Sequence, residues 1–540
     1  MHNFFSAVTS RMPFESQSNG AREPVFFPQN RRARRLLPGF LLVLALGIRL
    51  YHLKEPPLDF HPTRQYFSAI IARGFYYETQ DSLPEWKKKI AIINKEKQGF
   101  LEPPIMELMA ALSYRLAGGE YLWLPRLFSS IFWIVGGGFV YLISKKLSSP
   151  DAAVFATAFY LFIPYGVSAS RSFQPEPLMV MMLMVSLFTL LRYHERPLLG
   201  RLFLAATLSA LALLVKPMNV FTIFGAAIAL ALEKQKSWKA FFSPSLLIFA
   251  GISLLPSLIY FTSGLFREGL QAQAQKRILP QLLLSLFFWK GWHSQIDWVV
   301  GDIAFFGALF GVLLFRPGRA RALIIGLWVG YLAYGLSFSY HTATHNYYHL
   351  PLIPIVAIGF GLFLAWILNR LVQGSRHSCL RLSSCQWARP AASWGILLLA
   401  IALSLGTSRA RLNRPDSGKI VRNAEEIGER VGHSAKTIFL TFAYGKPLQY
   451  YGDLSGEFWP SQGDLRYERV RGIPGINASE LFQTRFLKDS PEFFIITDFQ
   501  EFDRQSDLKN FLTRSYPLFA QTPDYLIFEL RKKLNSDPRR

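Results

Sequence analysis

The segment Leu58-Asp59-Phe60-His61-Pro62-Thr63-Arg64-Gln65-Tyr66 sets a carboxylate, an imidazole and a guanidinium side by side, directly after an apolar stretch. Asp59 can accept a proton from a hydroxyl, and the planar fork of Arg64 can pair with a phosphate. A solvated loop with a helix-capping Asp fits this segment equally well. In Gly99-Phe100-Leu101-Glu102-Pro103-Pro104-Ile105-Met106-Glu107, Glu102 precedes a Pro pair that can open a helix. Glu102 is a metal ligand, a second acid/base or a plain N-terminal charge favoured by the helix dipole, and alone the plain version wins. The turn Ser170–Pro177 holds Arg171 and Glu176 at bilayer-surface depth, where a carboxylate is costly unless wet or paired, and an Arg171–Glu176 ion pair is the simplest expectation. Lys216 lies between two short apolar segments, where it meets a phosphate or, more usually, snorkels. His341-Thr342-Ala343-Thr344-His345-Asn346-Tyr347-Tyr348-His349 packs three His and two Tyr into one connection. Its spacing lacks an HExxH pattern, so contacts of His345, Tyr347 and Tyr348 to sugar or phosphate compete with a metal-binding reading.

Something must hold these clusters at one level, and the rest of the chain supplies it. Hydrophobic residues make up 51% of the 540 and aromatic ones 15%, gathered in long runs separated by basic clusters. That is the pattern of a membrane protein. The net charge of +23 does not call for nucleic acid, because the basic residues fall at the ends of apolar runs, where membrane orientation requires them. The two cysteines, Cys379 and Cys385, lie in a basic linker and offer neither a disulfide framework nor a zinc cluster. Residues 1–30 show no cleavable signal peptide, so the first span is expected to stay as an anchor.

Arg31, Arg32, Arg34 and Arg35 hold the N-terminus in the cytoplasm, and Leu36–Leu53 runs outward. Alternating charge then threads about eleven spans. They are expected at Leu36–Leu53, Leu124–Ile143, Ala152–Ser170, Leu178–Leu191, two around Lys216-Pro217, Leu246–Phe261, two flanking Arg316–Arg321, Leu352–Leu368 and Ala391–Leu405. The polar clusters all fall on the outer side of this threading, the first within an amphipathic loop, 54–122. The chain divides into a cytoplasmic N-terminus, 1–35, a membrane domain, 36–407, and a tail, 408–540. Short apolar strands at Thr437–Phe442, Phe493–Thr497 and Tyr525–Leu530 alternate there with polar helices, so the tail reads as a small extracytoplasmic α/β domain.

The order of features then becomes recognisable: a span, an outer Asp-bearing segment ending in Ala72-Arg73, Glu102-Pro103-Pro104 before an amphipathic helix, and Arg126-Leu127-Phe128-Ser129 opening the second span. It resembles the family of protein O-mannosyltransferases and lipid A aminoarabinose transferases, membrane glycosyltransferases of the GT-C type, over about residues 36–370. Arg171–Pro177 is similar to their second outer loop and His345–Pro351 to a late loop of the bacterial members. The resemblance implies a polyprenyl-phosphate sugar donor and a lipid, glycan or protein acceptor, met at the outer face of the cytoplasmic membrane, with a single inverting displacement. It implies Asp59 as base, Glu102 and Glu176 as site carboxylates, and Arg64 and Lys216 at the donor phosphate; Arg171, in the second outer loop, is a further candidate for substrate binding. Family members carry an adjacent Asp-Glu pair where this chain has Asp59-Phe60-His61, which makes His61 a candidate to share the base role. The resemblance assigns no definite cofactor, and a divalent metal is compatible with the carboxylates. The rivals are a lipid or sugar transporter, which calls for ionisable residues within spans and an internal repeat, and a non-catalytic assembly subunit.

Overall fold

The computed structural model describes residues 31–100, 102–263, 277–376, 385–413 and 417–534, with side chains except at 31–35 and 371–393. The N-terminal segment 1–30, Cys379 and the side chains of Arg31–Arg35 and Cys385 therefore lie outside what is described.

All eleven apolar segments are helical: Arg31–Leu50, Trp123–Leu147, Pro150–Phe162, Glu176–Glu195, Leu199–Val215, Asn219–Gln235, Pro244–Thr262, Asp302–Leu314, Arg319–Ser337, Leu352–Arg376 and Cys385–Leu412. Among the described residues six helices are long and apolar enough to cross a membrane, or seven if Leu286–Val300 and Asp302–Leu314, bent by 93°, form one span. The remainder are shorter for local reasons. The expected span Ala152–Ser170 is two helices, Pro150–Phe162 and Pro164–Ala169, because Pro164 offers no N–H to continue the ladder. Arg49, buried in the first helix, mends the break: its guanidinium donates to the Leu161 carbonyl at 2.9 Å and to Ser170 Oγ at 2.6 Å.

Small residues let the helices approach closely. A Cβ on Gly330 would stand 2.3 Å from the Phe221 carbonyl, and one on Gly225 2.3 Å from that of Gly326. Gly326 and Gly330, four apart on Arg319–Ser337, thus form a small-residue seam against Asn219–Gln235. At one end of the bundle Glu195 gathers Lys146 at 2.9 Å and Arg319 at 3.5 Å, so helix ends to which charge bias assigns one side do lie together. Glu176 opens the helix that Glu195 closes, which puts it at the opposite end, about 30 Å away at 1.5 Å per residue.

The amphipathic loop 54–122 folds into three helices, Pro62–Tyr77, Glu85–Gln98 and Ile105–Ala117, the first of them largely buried. The tail carries a five-stranded sheet: β1 (Thr437–Leu440), β2 (Gly456–Phe458), β3 (Phe493–Ile496), β4 (Leu518–Gln521) and β5 (Leu526–Glu529), in the order β2-β1-β3-β5-β4. β1 pairs in parallel with β2 and β3, while β5 runs antiparallel to β3 and β4. The three strands expected from sequence are the inner ones. β2 and β4 lie at the edges, where one is short and the other mostly exposed, so neither carries the apolar run that marks a central strand.

Candidate active site

Asp59 follows the first helix and stands in a knot of arginines. Its Oδ2 accepts from Arg126 at 2.5 Å and lies 3.2 Å from Arg171 Nε, while Oδ1 accepts from the Gln65 amide at 3.2 Å. Its side chain is 6% exposed, and both arginines are 1% exposed. The knot also binds backbone: Arg126 donates to the carbonyls of Leu53 at 2.9 Å and Glu55 at 2.7 Å, and Arg171 to that of Tyr51. Buried guanidiniums need such partners. The expected Arg171–Glu176 pair does not form, because Arg171 turns toward Asp59 and the end of the first helix.

Glu176 instead faces the other way. Its Oε1 accepts from Lys216 and, at 3.2 Å, from Arg64. Lys216 reaches on to Glu102 at 3.6 Å, which completes an alternating row of Arg64, Glu176, Lys216 and Glu102. Lys216 does not snorkel: it is buried by that row, and Pro217 after it ends one helix so that the next begins at Asn219. Glu176 is 1% exposed, whereas Glu102 is 17% exposed and has Lys216 as its one ion-pair partner among the described residues. The Arg64 Nε and Glu176 Oε2 atoms are buried and make no hydrogen bond among the described residues. Burial alone would lower the Arg64 pKa, but Glu176, Tyr347, Glu102 and Tyr348 together outweigh it and raise it, so the guanidinium keeps its charge.

The loop 339–349 closes the site from a third direction. Asn346 Oδ1 accepts from Tyr165 at 2.8 Å and lies 2.7 Å from His61 Nε2. An amide oxygen there calls for the Nε2–H tautomer, leaving His61 Nδ1 as the acceptor. The Tyr347 ring packs edge-on against His61 with centroids 5.0 Å apart and lies 5.5 Å from the Arg64 guanidinium. Burial lowers the pKa of His61, against the pull of Asn346 and Glu176, so the ring is neutral near pH 7. His345 is pushed down to about 4, first by burial and then by the charges of His61, Arg64 and Arg277. His349 is fully buried, between Tyr331 at 2.6 Å and the Thr342 carbonyl at 2.8 Å, and holds the loop.

Asp59, His61, Arg64, Glu102, Glu176, Lys216 and Tyr347 thus belong to two adjoining clusters joined through Gln65, next to Arg64 in the chain. Arg171 belongs to the Asp59 knot. His345 and Tyr348 form the rear of the loop, stacked with His341 at 5.2 Å each. No group of three His, Cys, Asp or Glu side chains converges among the described residues. Glu102 and Glu176 both pair with Lys216. Sequence reasoning missed Arg126 as a site residue, along with Asn346, Tyr165 and Arg277. Arg126 enters the sequence reading only as the residue opening the second span, and its contact with Asp59, 67 positions away, is what places it in the site.

Comparison with known proteins bears on the fold. The family model of dolichyl-phosphate-mannose-protein mannosyltransferases matches residues 101–260. No curated protein matches in sequence. The fold is similar to that of ArnT from Cupriavidus metallidurans bound to undecaprenyl phosphate, with a TM-score of 0.54 at 13% identity over 91% of this chain and 97% of that one. It is also similar to the archaeal oligosaccharyltransferase AglB from Archaeoglobus fulgidus in complex with an inhibitory peptide and a dolichol-phosphate, with a TM-score of 0.52 at 13% identity over 94% of this chain and 75% of that one. The chain thus has the fold of the GT-C type membrane glycosyltransferases, and its residues 101–260 match the model of one of their families.

Proposed function

We propose that the protein moves a sugar from a polyprenyl-phosphate donor to a hydroxyl-bearing lipid, glycan or protein acceptor at the outer face of the cytoplasmic membrane. The observation that carries this reading is the convergence of three polar loops and the Lys216 turn at one end of an apolar bundle, around Arg64, Glu176, Lys216 and Glu102. The opposite end gathers Lys146 and Arg319, which the positive-inside rule assigns to the cytoplasm.

A polyprenyl phosphate is already a good leaving group, so the protein's tasks are positioning, deprotonation and charge stabilisation. Glu102 takes the acceptor's proton in this reading, since it is the least encumbered carboxylate of the site. The acceptor oxygen bonds to the anomeric carbon as the bond from that carbon to the phosphate oxygen breaks, with inversion, and the electron pair leaves on the phosphate. Arg64, with its unpartnered Nε, and Lys216 meet that charge. Arg277 adds a cation whose field reaches His341, His345 and Tyr347. His61 and Tyr347 shape the pocket on the Arg64 side. Asp59, with both oxygens engaged, serves as the keystone of the loop and not as the base.

The test is transfer from a panel of radiolabelled polyprenyl-phosphate sugars to membrane acceptors by purified wild type and Glu102→Gln. Transfer that the substitution abolishes is the expected result, with an inverted anomeric centre in the product. Absence of transfer from every donor by intact protein would move the reading to an assembly subunit or a transporter.

A further inference from the structure

Helix Pro62–Tyr77 carries Arg64 in its first turn, yet little local chemistry fixes where that turn lies. His61 precedes it in a left-handed conformation, φ 41° and ψ 67°, and makes no side-chain cap. A non-glycine residue is strained in that region and persists there only where surrounding structure imposes it. Gln65 supplies part of that structure, donating to the Phe60 carbonyl at 2.7 Å and accepting from the Phe173 amide at 2.9 Å.

The remainder comes from the tail. Tyr66, fully buried and two residues from Arg64, donates its hydroxyl to that of Tyr451 at 3.1 Å. At the far end of the same helix, Arg73 lies 3.6 Å from the centre of the Tyr450 ring, donates to the Tyr450 carbonyl, and pairs with Asp453 at 3.3 Å and Glu120 at 3.0 Å. Glu120 also accepts from Tyr450 and Tyr77, so no charge in this cluster lacks a partner. The second helix of the loop is bound alike: Lys87 pairs with Asp453 at 3.0 Å, and Asn94 donates to the Leu454 carbonyl at 2.9 Å.

We infer that residues 446–454 of the tail are part of the catalytic scaffold: through Arg73 and Tyr66 they set the position of helix Pro62–Tyr77, and with it Arg64. Arg73 and Tyr451 are positioning residues for sugar transfer. Arg64 and Arg73 are about 13 Å apart along the helix, so a tilt of a few degrees at the clasp moves the guanidinium by about 1 Å. A displacement of that size costs on the order of a hundredfold in rate. This inference rests on the reading of Arg64 as a donor-site residue.

Two conservative variants test it, Tyr451→Phe and Arg73→Lys, each alone and combined with Arg64→Lys. With thermal stability near wild type, kcat is expected to fall about tenfold or more while the acceptor KM changes little. The double variants should lose much less than the product of the single losses, as residues acting through one another do. Multiplicative losses would overturn the inference. Amide hydrogen exchange over residues 60–70 reads the same question without catalysis: it should quicken at least threefold in both single variants. Unchanged exchange there overturns the inference whether or not the wild type transfers sugar, whereas quickened exchange in a protein that transfers nothing leaves the clasp standing and removes the transferase reading.

Discussion

Arg64 and Glu176, 112 positions apart in the chain, meet at 3.2 Å with Lys216 on the same carboxylate oxygen. The helices of the first loop are thereby joined to the start of the span Glu176–Glu195. Removing one partner of a buried ion pair leaves charge uncompensated and typically costs about 3–5 kcal/mol. Glu176→Gln, which leaves Arg64 without a carboxylate partner and Lys216 with the longer pair to Glu102 alone, is expected to lower the thermal transition and abolish transfer together. A variant of normal stability would show that the pair is not needed for folding.

Asp59 and Glu102 should part company on substitution. Asp59→Asn leaves Arg126 and Arg171 facing one another without a counter-ion, so it is expected to destabilise the protein by several kcal/mol and to lose activity through that. Glu102→Gln should retain stability within about 0.5 kcal/mol, as for a partly exposed residue with a single long ion pair, and lose transfer. Thermal unfolding beside initial rates separates the two roles. Full activity in Glu102→Gln would assign the proton elsewhere, with His61 Nδ1 the next group to test.

Stability should fall with acid in a definite window. His349 is held down to about 4 by burial, and its unfolded value is near 6.5. Between those values the unfolded chain binds the proton and the folded protein does not, so the contribution is complete above about pH 6.5 and lost as pH falls toward 4. His345, also at about 4, acts in the same direction. Thermal unfolding in detergent between pH 7 and 4 measures the slope, which should be shallower in His345→Gln. A flat profile would contradict the burial of this loop.

The Gly326 and Gly330 seam predicts steric failure. An alanine at 330 puts a Cβ 2.3 Å from the Phe221 carbonyl and 2.8 Å from Thr222 Cα, both backbone atoms that cannot rotate away. Gly330→Ala should separate the two helices and sharply reduce the yield of folded protein. Gly251→Ala, where nothing lies within 4 Å, serves as the neutral control. Equal yields for the two would refute close packing at the seam.

Much of the architecture is a property of the sequence alone. Apolar runs with basic ends mark the membrane-embedded helices, because a bilayer demands length, apolarity and backbone hydrogen bonds closed within each segment, all of them local quantities. The inner strands of the tail are equally legible as short apolar runs. Pairing is not local. Arg171 and Glu176 are close in sequence, and proximity alone makes them a pair, yet each is claimed by a stronger partner brought in by another helix. Asp59 has the composition of a base, and the arrival of Arg126 and Arg171 turns it into a tie. The tail's hold on Arg73 and Tyr66 has no sequence signature, since a Tyr and an Asp in a polar domain look like surface residues. Residue types and spacing determine which groups are available for chemistry and at what depth they lie. Which of them are neutralised, and which stay open to substrate, depends on partners that only the packed helices bring within 4 Å, the range over which buried charges decide each other's fate.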